Sequence, residues 1–364
     1  MQSDLRDLHL DVLVVTHLPN VRYLTGLCAT AGIVVVREDR CTLVVDFRYE
    51  TAANAVLASL TDQPYDLSLV EHTYDETVAA LLAALAPASR IGIEAASMTV
   101  GRFNRIAEAL QRSHPRADAA STLVTTERTV ERRRAVKDAQ EIEILREAAR
   151  RLSKIAHTIP GLIGEGRSER EIAADIDDAI RAAGFERPAF ETIVASGENS
   201  ARPHARPGGR RLSPGDGVVL DFGGIYDGYC VDLTRTLPVG RVASDLSRLG
   251  AAVREAHDAA IGFVKPGVRP SEIDGAARDV LARHGLAAAF GHGTGHGLGL
   301  EVHEDPRIST LPGALPDEPV VSGMVFTIEP GAYVPGVGGV RIEDDVLVVE
   351  GGCEVLTDVP IVGL

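Results

Sequence analysis

The stretch Gly291–Glu304, GHGTGHGLGLEVHE, holds three of the chain's eleven histidines, His292, His296 and His303, among five glycines. Imidazoles ligate metals or carry protons, and glycines let a backbone approach a ligand closely. A phosphate cradle is one reading of such a loop, but no Gly-Lys-Ser/Thr follows, so the lysine and hydroxyl of that mechanism are missing. A zinc-protease HExxH is absent as well. What remains is a surface loop that happens to contain histidines, or a site. The density of imidazoles favours a site, whose chemistry depends on partners elsewhere in the chain.

Two pairs of acidic residues are candidates for those partners. Asp221 and Asp232 are eleven residues apart in VVLDFGGIYDGYCVDLTRT, where two β-branched apolar runs flank an Asp227-Gly228 hairpin signal. Glu329 and Glu343 are fourteen apart in VFTIEPGAYVPGVGGVRIEDD, again strand, glycine-rich turn, strand. Carboxylates set among Val, Leu and Phe are costly to bury unless neutralised, hydrogen-bonded or bound to a cation. Together with His296 they make four carboxylates and one imidazole. That is too much negative charge for one ion and suits two divalent cations with bridging carboxylates. Ligation by oxygen without thiolate favours Mn²⁺, with Co²⁺ or Zn²⁺ as alternatives. Two such cations lower the pKa of a shared water and stabilise the oxyanion formed when it attacks a carbonyl.

These residues need elements to carry them, and the chain divides into two patterns. In the first third, short β-branched runs at 11–15, 32–36, 42–45 and 91–94 alternate with helical periodicity at 48–60, 76–85 and through Phe103, Ile106 and Leu110, which predicts an α/β domain over residues 1–127. His9, His17, His72 and His114 are isolated there and read as surface or packing histidines. The charged run ERTVERRRAVK (127–137) reads as a solvated linker, most of it (128–137) assigned to the start of a second domain that runs to residue 364. This second domain shows an internal repeat. Asp138 with Glu141 has capping-box spacing. Pro160-Gly161, Ser168-x-x-Glu171 and Gly184 recur in the same order as Pro266-Gly267, Ser271-x-x-Asp274 and Gly285. Each helix pair precedes strands bearing two acidic residues. The repeat predicts two ααββ units related by a pseudo-two-fold, with the acidic pairs facing each other.

Composition narrows the function classes. The 364 residues favour two domains, and 45 % apolar with 24 % charged residues is ordinary for a globular protein. A formal net charge of -15 argues against nucleic acid and anionic membranes as partners. Cys28, Cys41, Cys230 and Cys353 lack CxxC spacing and read as reduced thiols of a cytoplasmic protein. The first twenty residues predict no signal peptide, and no apolar run reaches the length of a membrane span.

The order Asp221, Asp232, His296, Glu329, Glu343 resembles that of the pita-bread metallopeptidases, which comprise methionine aminopeptidase, aminopeptidase P, prolidase and the related creatinase. NVRYLTG (20–26) and RIGIE (90–94) resemble the amino-terminal domain of prolidases, aminopeptidases P and creatinases, which methionine aminopeptidases usually lack. The creatinases lack the full ligand set, which is present here. The resemblance implies an α/β amino-terminal domain followed by an α+β pita-bread catalytic domain. It also implies a homodimer in which the first domain helps wall the cleft.

By the same resemblance Asp221 is a bidentate ligand to one metal, Asp232 and Glu343 bridge, and His296 and Glu329 complete the other site. Glu329 also serves as general base for a metal-bridging hydroxide, and His303 supports the tetrahedral intermediate. His204, in SARPHARPG, His292 and Arg341 match the proline-specific members. A dipeptidase must also bind the free carboxylate of proline, best with an arginine, and Arg307, in HEDPR, sits where compact prolidases carry one. Arg341 is the weaker candidate for that task. The expected activity is metal-dependent hydrolysis of Xaa-Pro dipeptides. Aminopeptidase P activity on Xaa-Pro-Yaa peptides, hydrolysis of a non-peptide amide, and a non-catalytic binding protein on the same fold are the alternatives. The proline-rich segment 307–324 is longer than in compact prolidases and reads as a surface insertion or a flap over substrate.

Overall fold

The computed structural model describes residues 2–60, 64–85, 89–114, 122–311 and 317–364. It splits into two compact units, Met1–Arg134 and Ala135–Leu364.

The first unit follows α1 (Gln2–Asp7), β1 (Val12–Val15), α2 (Leu18–Thr25), β2 (Ile33–Arg37), β3 (Cys41–Val45), α3 (Glu50–Ser59), β4 (Tyr65–Leu69), α4 (Tyr74–Ala83), β5 (Ile91–Glu94), α5 (Val100–Ser113) and β6 (Leu123–Thr126). Its sheet has the order β4-β3-β2-β1-β5-β6. β1 runs antiparallel to β2 and parallel to β5. Strands such as VLVV are apolar at every position because both faces are covered. Leu13 and Val15 pack with Val21 and Ala53 from α2 and α3, while Val12 and Val14 pack with Val78, Leu82, Ile106 and Leu110 from α4 and α5. The sequence patterns did not announce α1, α2, β4 or β6. The run 127–137, expected to be a solvated linker, does hold the break between the two units, but it is solvated only in part. Val130 is fully buried, as are Arg134, which donates from Nη1 to Asn20 Oδ1 at 2.7 Å, and Lys137, whose ammonium lies 3.6 Å from Glu304 Oε2. Charged groups can be buried where a counter-charge or a hydrogen-bond acceptor meets them, so charge density alone misjudged these positions.

The second unit continues through α6 (Ala139–Ala156), α7 (Glu169–Ala182), β7 (Arg187–Pro188), β8 (Ile193–Ser196), β9 (Gly217–Tyr226), β10 (Tyr229–Pro238), α8 (Ser244–Phe263), α9 (Pro270–Arg283), β11 (Gly295–Gly297), β12 (Glu304–Ile308), β13 (Val325–Ile328), β14 (Gly331–Val334), β15 (Gly338–Arg341), β16 (Asp344–Val349) and β17 (Gly352–Val355). Each half builds its own core. Leu145, Leu152, Ile172 and Ile176 pack under β9 and β10, and Leu249, Val253, Ile273 and Leu281 pack under β13 and β16. Asp138 and Ser168 form reciprocal capping boxes with Glu141 and Glu171. Ser271 and Asp274 do not repeat that box. The N-cap is Arg269, whose backbone N–H donates to Glu272, and Ser271 donates both its N–H and its hydroxyl to Asp317. Of the proline-rich segment, residues 312–316 lie outside the described residues, while Val320 pairs with Gly267 and Val268.

Candidate active site

β9 and β10 pair residue for residue around Asp227-Gly228, both at positive φ (47° and 78°), which is the turn a two-residue hairpin demands. Asp221 stands opposite Thr234, and Asp232 lies two residues before Thr234. Strand alternation therefore sends all three to one face, while Leu220, Phe222 and Leu233 take the other and join the core.

The second acidic pair is reached differently. β13 and β16 pair with Ile328 opposite Asp344, so Glu329 and Glu343 lie just past the end of that ladder. The chain between them forms the β14–β15 hairpin, which carries Tyr333 and ends on Arg341. Thr234 joins the two sheets. It bridges antiparallel to Glu343, accepts from the Glu343 N–H at 3.1 Å and donates its hydroxyl to Glu343 Oε2 at 2.6 Å.

His296 sits on β11, and its neighbours explain the glycine-rich pattern. A Cβ on Gly295 would lie 1.8 Å from the Thr327 carbonyl oxygen, and one on Gly297 would lie 2.1 Å from that of Asp305. These glycines admit the flanking backbones; they do not cradle a phosphate. His296 Nε2 is 3.4 Å from Glu329 Oε1 and 4.0 Å from Asp232 Oδ2. Ligand atoms of Asp232, His296 and Glu343 all lie within 4.8 Å of one another. Asp221 Oδ2 accepts from the Arg341 guanidinium, which also donates to Tyr333 Oη at 2.8 Å and to the Pro203 carbonyl at 3.1 Å, beside His204. His292 shares its Nε2 with Tyr333 Oη at 3.1 Å, and the His303 ring stands edge-on to His296 with centroids 4.3 Å apart. Arg307 is the ladder partner of His296, which puts the two on one face of the sheet. His204, His303 and Arg307 are exposed, whereas Arg341 is buried.

The electrostatics of this cluster ask for cations. Burial, then the neighbouring carboxylates, push Asp232 and Glu343 well above the usual carboxylate range, and burial raises Glu329 to about 7. Burial lowers His296 to about 3 and His292 to about 4. Oδ1 of Asp221 and Oδ1 of Asp232 are buried without a hydrogen-bond partner among the described residues, and orphaned buried oxygens call for an explanation. An oxygen-rich set with one imidazole and no thiolate fits divalent cations.

Sequence reasoning missed several supporting residues. Thr234 and Tyr333 looked like ordinary strand residues. Asp345, which follows the expected ligand Glu343 by two, is fully buried and accepts from the Asp232 N–H at 3.1 Å; the run EDD was its only signal.

Two family descriptions match this chain. Metallopeptidase family M24 matches residues 143–350, and the Creatinase/Prolidase N-terminal domain matches residues 1–156. An uncharacterized peptidase, YqhT, of Bacillus subtilis is 36% identical over 97% of this chain and 95% of its own length. A Xaa-Pro dipeptidase of Pyrococcus horikoshii is 34% identical over 96% of this chain and 93% of its own. The solved structure of a Xaa-Pro dipeptidase from Bacillus anthracis superposes with a TM-score of 0.90 at 33% identity, covering 99% of this chain and 96% of that one. With matching relatives along nearly its whole length and a buried carboxylate–imidazole cluster in its second unit, the chain belongs to metallopeptidase family M24 and carries the creatinase/prolidase amino-terminal domain.

Proposed function

We propose that this peptidase hydrolyses Xaa-Pro dipeptides with two divalent cations, Mn²⁺ first among them. Support comes from the buried carboxylates whose oxygens Asp221 Oδ1 and Asp232 Oδ1 lack partners among the described residues, in a chain with relatives named Xaa-Pro dipeptidases. Asp221, Asp232, His296, Glu329 and Glu343 would hold the cations. When bound, such a pair lowers the pKa of a water and polarises the scissile carbonyl.

The remaining work falls to the chain's own groups. Glu329 is the proposed base. Its side chain is 17% exposed against 7% for Asp232, so among these two it is the one better able to exchange a proton with the cleft. His303, edge-on to His296 at the mouth of the cluster, donates a hydrogen bond to the developing oxyanion. His204 and His292 flank the substrate. Arg341 holds Asp221 and, through the Pro203 carbonyl, the start of the His204 loop. Arg307, beside His296 yet exposed, is the candidate to bind the free carboxylate of proline. Assembly as a homodimer belongs to the same reading and would appear in light scattering.

The test is kinetic. Wild type and Arg307→Ala are compared on an Xaa-Pro dipeptide and an Xaa-Pro-Yaa tripeptide with added Mn²⁺. The substitution should cut dipeptide turnover about 10–100-fold, the worth of a charge-assisted hydrogen bond, and leave the tripeptide nearly untouched. Equal effects on both, or a wild-type preference for the tripeptide, would reassign the protein to aminopeptidase P activity.

A further inference from the structure

Asp274 lies on α9, outside the ligand set, and is fully buried. A lone carboxylate there would be costly, but this one accepts five hydrogen bonds. Oδ1 takes the N–H of Thr294 at 3.1 Å and its hydroxyl at 2.7 Å. Oδ2 takes the N–H of Thr310 at 2.7 Å, its hydroxyl at 2.6 Å and Arg278 Nε at 2.7 Å. These donors hold the carboxyl below its usual range against the opposing effect of burial. Arg278, one helical turn on, extends the reach. Its two terminal nitrogens donate to the carbonyls of Phe290 and His292, and its guanidinium lies 4.4 Å from the Phe290 ring centroid.

The contacts form a frame around the histidine segment. Asp274 grips Thr294 on one side and Thr310 on the other, and between them lie His296, His303 and Arg307. Thr294 in turn accepts the Glu329 N–H at 2.7 Å. The proposed base and the ligand His296 are thus each within two residues, or one hydrogen bond, of a group that Asp274 holds.

We propose that Asp274 and Arg278 are positioning residues, a buried ion pair on α9 that sets His292, His296 and Glu329 in register for metal and substrate. The proposal rests on the metal-dependent reading of the site, and its test separates the two. Mn²⁺ binding is measured by calorimetry on full-length wild type, Arg278→Lys, Asp274→Asn and the packing control Ile273→Val, with the melting temperature of each. Lysine keeps the charge but cannot reach Asp274 and two carbonyls at once. Both strut variants should bind Mn²⁺ about 10–100-fold more weakly, as expected for partners that orient ligands. Ile273→Val should lower the melting temperature without moving the affinity. Affinities within about threefold of wild type in the strut variants, well short of that range, would overturn the proposal. If Asp274→Asn does not fold, Arg278→Lys decides alone. Weakened binding together with a wild type that binds Mn²⁺ yet leaves Xaa-Pro dipeptides intact would remove the functional reading and keep the positioning role.

Discussion

In the first half of the catalytic unit, Asp221 and Asp232 ride one uninterrupted ten-by-ten hairpin, and the ladder alone fixes their relation. In the second half, Glu329 and Glu343 lie just beyond the β13–β16 ladder, with an inserted hairpin between them carrying Tyr333 and Arg341. The supports differ in the same way. Glu169, fully buried at the start of α7, accepts from Ser196 N–H and hydroxyl, Asn199 and Gly208, all neutral donors. Asp274 on α9 accepts from the charged Arg278 as well. A duplicated scaffold therefore supplies carboxylates symmetrically, while His292, His296, His303, Arg307 and Arg341 all belong to the second half. On the proposed roles, the first half offers two carboxylates and His204, while the second half offers two carboxylates, the imidazole His296 and most of the groups proposed to meet a substrate.

The sharpest way to break this comparison is to neutralise a carboxylate of the simpler half. Asp232→Asn keeps the hairpin and removes the charge, so turnover should be abolished and Mn²⁺ affinity should fall by more than the ~10–100-fold typical of supporting residues. Near-normal turnover would show that the first half is scaffold only.

A second test uses pH. In the metal-free protein Asp232 and Glu343 sit well above their ordinary range and Glu329 at about 7. The unfolded chain ionises them near pH 4, so the native state binds more protons and loses stability as pH rises through about 7. Burial holds His292, His296 and His303 below the usual imidazole range, and the same side chains in the unfolded chain are largely neutral by about pH 7.5, so these three add little to the upper part of the window. Bound cations neutralise the same carboxylates. The melting-temperature gap between Mn²⁺-loaded and chelated protein should widen from about pH 6.5 to about pH 8. A constant gap would contradict the clustered charge.

The smallest effect is expected at Glu169→Gln. It leaves neutral donors around a neutral amide and should cost about 1–3 kcal/mol in urea unfolding, with Mn²⁺ affinity unchanged, because the loop it holds carries His204 and no ligand. A loss of affinity would make the two supports equivalent.

Much of this was legible in the sequence, for stated reasons. Asp227-Gly228 announced its hairpin because few residues tolerate positive φ in succession, and carboxylates in apolar strands announced a charge problem that burial makes acute. The helix starts at Asp138 and Ser168 were legible because capping is local. Ser271 and Asp274 imitated the same spacing, but Ser271 bonds to Asp317 and Asp274 to Arg278, Thr294 and Thr310, mostly far along the chain, and no capping pattern encodes that. Arg134 and Lys137 misled for the same reason, since a charged run looks solvated until its partners Asn20 and Glu304 are known. Thr234, which stitches the two sheets at Glu343, had no signal at all.

The central claim is that the clustered carboxylates exist to hold catalytic cations, and metal removal tests it most directly. Protein stripped with a chelator and freed of it should fail to hydrolyse an Xaa-Pro dipeptide, and titration with Mn²⁺ should restore turnover, reaching a plateau near two equivalents per chain. Full activity in the stripped protein would contradict the account.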